Sequence, residues 1–62
     1  MMEVGDKVVD SPVGCGQITD FTERGFPRVN HVAVAWLQLE DGRVFDPWGA
    51  RQQSLDQNPE NG

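Results

Sequence analysis

The chain has 62 residues, 37% of them hydrophobic, and ten acids against five lysines or arginines give a formal net charge of −5. A domain of this size buries only about 60% of the surface its unfolded chain exposes, which argues against a large enclosed active-site cavity and implies modest stability. The longest apolar run, Val32 to Leu37, is far below the roughly 20 residues that span a bilayer, and no basic segment with a signal-type apolar run opens the chain, so a soluble, cytoplasmic protein is expected.

In chain order, Asp6 to Asp10 reads as a first short strand after the Gly5-Asp6 turn. Ser11-Pro12 through Gly14-Cys15-Gly16 is a loop, because proline lacks the ladder donor and glycine tolerates positive φ. Gln17 to Thr22 forms a second strand, and Glu23 to Arg28, with Gly25-Phe26-Pro27 inside it, is an excursion between strands. His31 to Glu40 is the longest strand, reversing at Asp41-Gly42 into a fourth that Asp46-Pro47-Trp48-Gly49 stops. Ala50 to Leu55 supplies a short 3₁₀ turn and a closing strand. Residues 1–55 thus form one domain, and the polar stretch 56–62 is expected to be a disordered tail. No window sustains helical periodicity, so helix is minor.

If Asp41-Gly42 is a two-residue type I′ loop, Glu40 faces Arg43, Leu39 faces Val44, Gln38 faces Phe45 and Leu37 faces Asp46. Alternation then puts Ala33, Ala35, Leu37, Leu39 and Val44 on one face, and Val32, Val34, Trp36 and Phe45 on the other. Both faces are apolar, and so short a chain lacks the material to cover both. Either a bulge near Trp36 switches the inward parity, or a second chain or a partner closes one face, with Val32, Val34, Trp36, Leu37 and Phe45 as the candidate contact residues of this hairpin.

Little in the sequence supports catalysis or a bound cofactor. The lone Cys15 and lone His31 give neither an internal disulfide nor a zinc set, so no metal site is expected. Cys15 has no cation next to it in sequence to make it reactive, and it reads as a small residue in a tight bend. His31 at a strand start reads as a solvated side chain. Asp6, Asp10, Asp20 and Asp46 are candidates for a carboxylate pair or a cation site, yet they lie at turns and strand ends, where aspartate is favoured anyway. Gly14-x-Gly16 lacks the third glycine and the following helix of a nucleotide fingerprint.

Gly5-Asp6-Lys7-Val8, then Gly14-Cys15-Gly16-Gln17-Ile18, then Val32-Ala33-Val34-Ala35-Trp36 and Asp41-Gly42, follow a Gly-Asp-x-Val, Gly-x-Gly-x-Ile/Val, Val-x-Val-x-aromatic layout. That layout, over about three quarters of the chain, resembles SH3-like and Tudor-like small barrels, above all the bacterial ones at the end of repair helicases and in transcription-associated regulators. The resemblance implies an all-β, five-stranded small barrel that docks on another protein, often the transcription machinery. The peptide-binding tyrosines of eukaryotic SH3 domains have no counterpart, since Tyr is absent. No cage for methylated side chains is evident either, because Phe21, Phe26, Phe45, Trp36 and Trp48 are the only aromatics and packing needs several of them.

The expected function is that of a nonenzymatic interaction or regulatory module, its contact residues Phe26 and Trp48 framed by Arg24, Arg28 and Arg51. For Trp48 the competing reading is a plug over one end of the barrel. A homodimer through the Val32–Leu39 strand and the Val44–Phe45 strand is a further expectation, and the small reading frame suits a mobile-element protein. Two alternatives stand beside this. A nucleic-acid-binding barrel would stack bases on the same aromatics, though a pI near 4.4 disfavours it. An oligomeric enzyme would need an active site built at a symmetry axis.

Overall fold

The computed structural model describes residues 1–51. Six antiparallel strands make one curled sheet, a half-barrel compatible with an SH3-like small barrel. They are β1 (Lys7–Asp10), β2 (Gly16–Phe21), β3 (Pro27–Val29), β4 (Val32–Ala33), β5 (Leu37–Leu39) and β6 (Val44–Phe45), in spatial order β4-β3-β2-β1-β5-β6. Among the described residues the count is therefore six rather than five. The expected 3₁₀ turn and closing strand over 50–55 run beyond the described residues, and the 56–62 tail lies wholly outside them.

The curl originates in β2, which divides its pairing. Its first residues, Gly16 and Gln17, pair with β1, while Ile18, Asp20 and Phe21 pair with β3 across a register shift between Ile18 and Asp20. A second shift lies between Val8 and Asp10 where β1 meets β5. Irregularities of this kind bend a strand and increase its twist, which wraps a small sheet around its own core. That core is Val8, Ile18, Val29, Val34, Leu37 and Leu39, with Met2, Phe21 and Phe45 packed against it.

The excursion expected over 23–28 hides a strand. Pro27 opens β3, where its missing donor is tolerated, and its carbonyl still accepts from the Val34 amide at 3.2 Å. Asn30 and His31, at φ 50° and 72°, form a two-residue connection of the I′ kind into β4, pairing Val29 with Val32 and Arg28 with Ala33. His31 is thus a turn residue, and its amide donates to Thr19 Oγ1 at 2.8 Å.

The long strand expected over 31–40 is broken. β4 ends at Ala33 on one edge of the sheet, and Val34 to Trp36 carry the chain across to β5 beside β1. Val34, Leu37 and Leu39 are all buried, so inward parity slips by one residue between Val34 and Leu37. Of the two resolutions offered for the doubly apolar strand, the parity switch is the one the fold adopts. The face proposed for a partner strand accordingly does not exist as a surface. Leu37 and Val34 are 0% and 5% exposed, Phe45 packs on the core, Trp36 is half-buried under Arg51, and Val32 alone is exposed.

The Asp41-Gly42 reversal is real, but its register differs by one. Leu37 pairs with Phe45 and Gln38 with Val44, which leaves Glu40, Asp41 and Gly42 as a three-residue loop. Gly42 alone in that loop has positive φ, +97°, and its amide donates to the Leu39 carbonyl at 2.9 Å, as in a type I turn closed by a glycine bulge. The expected Glu40–Arg43 pair does not form; Arg43 Nε bonds Asp41 at 2.8 Å instead.

Candidate functional site

Two turns build the site. The β2–β3 loop is fixed by Thr22, whose amide donates to the Phe26 carbonyl at 2.7 Å and whose Oγ1 accepts from the Phe26 amide at 3.0 Å. The Gly25 amide closes the tip on the Thr22 carbonyl at 2.9 Å, and Gly25 takes the positive φ of +90° that this tip requires. Phe26 therefore has little freedom of direction.

The second turn is Asp46-Pro47-Trp48-Gly49, closed by the Gly49 amide on the Asp46 carbonyl at 3.2 Å. The Asp46 carboxylate also accepts from the amides of Ala50 at 2.8 Å and Arg51 at 3.2 Å, so it fixes the direction of the chain past the turn. This places the Trp48 indole flat on Phe26, with centroids 4.8 Å apart and planes 20° from parallel. Phe26 in turn meets Phe45 edge-on at 5.6 Å, linking the stack to residues that pack on the core. Trp48 nevertheless stays 62% exposed.

An open groove of about 620 Å³ runs past this stack, lined in part by Phe26, Trp48, Arg24 and Arg28. The small side chains of Ala33 and Ala35 line it as well, beside Val34 and Glu23. Four of the five expected contact residues are thus brought together. Arg51 is not among the lining residues: its guanidinium lies 5.1 Å from the Trp36 ring centroid, bonds Gln38 Oε1 at 3.0 Å and pairs with Asp10 at 3.5 Å. Ala33 and Ala35 were not singled out in the sequence, although alanine inside a β-branched run is a readable sign that a strand leaves space beside it.

Charge is distributed unevenly over the site. Arg28 is committed to Asp20 at 2.8 Å, as Arg43 is to Asp41 and Arg51 to Asp10. Arg24, exposed at the loop tip, makes no ion pair among the described residues. The four aspartates considered for catalysis or cation binding hold structure: Asp6 accepts from the Glu3 amide, Asp10 and Asp20 pair with arginines, and Asp46 fixes the Trp48 turn. Cys15 is exposed, and its carbonyl accepts from the Asn30 side chain at 3.3 Å. Among the described residues no helix is long and apolar enough to cross a membrane.

Comparison with known families, curated proteins and solved structures found no match to this chain.

Proposed function

We propose that the chain is a nonenzymatic interaction module that docks on another protein through the Phe26–Trp48 groove. The observation that carries this reading is the exposure of Trp48 despite its fixed orientation. A plug would bury its indole, whereas this one keeps 62% of its surface in water while stacked on Phe26. Tryptophan held rigid beside arginine is a common source of binding energy, because a large apolar area is desolvated at little entropic cost. The small-barrel resemblance adds the transcription machinery as the partner class to try first. The association through the 32–39 strand is not carried forward, since its supposed outer face is largely core.

A photocrosslinking side chain at Ala35, in the groove, should capture one discrete protein in a cell lysate. The same group at Val13, exposed but not lining the groove, should not. Trp48→Ala should lower that capture by a factor of about 30, the loss of a hot-spot side chain worth roughly 2 kcal/mol. Equal capture from both positions, or capture indifferent to Trp48, would overturn the reading.

A further inference from the structure

We infer that the groove takes an extended, acidic segment in which an apolar side chain adjoins a carboxylate, an inference that rests on the interaction-module reading above. Charge complementarity is its first ground. The molecule carries −5 in total, yet with Arg28 held by Asp20 the remaining charges lining the groove, Arg24 and Glu23, balance, so the groove stands apart from the acidity of the rest. Three of the four arginines are neutralised by aspartates of the same chain, and Arg24, which makes no ion pair among the described residues, stands in this lining. An arginine with no partner of its own keeps its full fork of donors for an incoming carboxylate.

Geometry is the second ground. Arg24 and Phe26 sit two residues apart on one hydrogen-bonded loop, so a carboxylate on Arg24 and an apolar group on the Trp48–Phe26 stack must come from nearby positions of the same ligand. Ala33 and Ala35 give a polypeptide backbone room to approach. The same features do not build a cage for a methylated ammonium. A methylated ammonium needs aromatic planes that enclose it, whereas Trp48 and Phe26 are stacked on each other, and Arg24 repels it.

The test titrates the isotope-labelled full chain, followed by amide and indole NMR signals, with three probes: a short capped peptide alternating valine and glutamate, its counterpart with lysine for glutamate, and an oligothymidylate. The glutamate peptide should shift the Trp48 indole and the loop amides around Arg24, and the lysine peptide should leave them in place. Arg24→Glu should weaken that binding about five- to tenfold, with Arg24→Lys recovering part of it, and about 1 M salt, where screening acts within about 3 Å, should weaken it similarly. Tighter binding of the lysine peptide, shifts confined to other surfaces, or indifference to Arg24→Glu would overturn the inference. Salt-sensitive binding of the oligothymidylate alone would overturn it in favour of nucleic acid. No response to any probe, with the Ala35 crosslink intact, would show that the groove binds protein by other chemistry; loss of that crosslink as well would remove the docking reading itself.

Discussion

Gly16 has no room for a side chain. A Cβ there would lie 2.3 to 2.6 Å from the Asn30 side chain, whose oxygen accepts from the Gln17 amide and whose nitrogen donates to the Cys15 carbonyl. Gly16→Ala must displace that side chain and forfeit both bonds, which should cost about 1–3 kcal/mol in denaturant unfolding. In an Asn30→Gly background the same change should cost much less, and an undiminished penalty there would refute the steric account. Asp41 gives a pH-dependent counterpart. The Arg43 amide, more than its side chain, holds the Asp41 carboxyl below its ordinary 3.8. Because the folded value is the lower one, the associated stability is present above the unfolded value and is lost as pH falls through the folded value. NMR titration should therefore find Asp41 below 3.8, and Arg43→Ala, which keeps the amide, should restore only part of the shift. Phe26 and Trp48 could be picked out in the sequence because large aromatics in Gly- and Pro-bounded turns have few reasons to be there. Arg51 could not be placed, since its position depends on which way the chain leaves the Asp46 turn.

The hairpins show how local chemistry decides between alternatives that a sequence leaves open. Asp-Gly serves both a two-residue I′ turn and the second half of a three-residue loop with a glycine bulge; with one positive φ instead of two, the register moves by one residue. The β3–β4 hairpin, by contrast, places a non-glycine pair in the left-handed region, which gives no Gly signal to read. His31 at φ 72° bears strain that glycine would not, so His31→Gly, creating the Asn-Gly pair this turn favours, should stabilise the domain by about 0.5–1 kcal/mol despite the added backbone freedom of the unfolded state. A lower melting temperature for that variant would mean that the imidazole makes an interaction outweighing the strain. The apolar run admits a bulge near Trp36 but does not announce the break over Val34–Trp36, because it shows that both faces want cover without showing where the chain turns.

At the scale of the molecule the all-β character was readable, since β-branched residues with frequent Gly and Pro argue against helix, whereas the core was not, because the apolar 31–40 run left its inward face open. Leu37, wholly buried where the strands converge, is the side chain whose loss should be felt most. Leu37→Ala should cost about 2–5 kcal/mol, a large share of a small domain's stability, and appear as a large drop in thermal midpoint or outright unfolding. One unaltered midpoint would contradict the core as drawn. The strand order carries a kinetic consequence. Among the described residues every pairing but one joins strands consecutive in sequence, β1 with β5 being the exception. Zipping of the three-hairpin ribbon can proceed through short loops, while that single long-distance seam must wait for a larger loop to close, so the conformational search should bottleneck at the meeting of Val8 with Leu39.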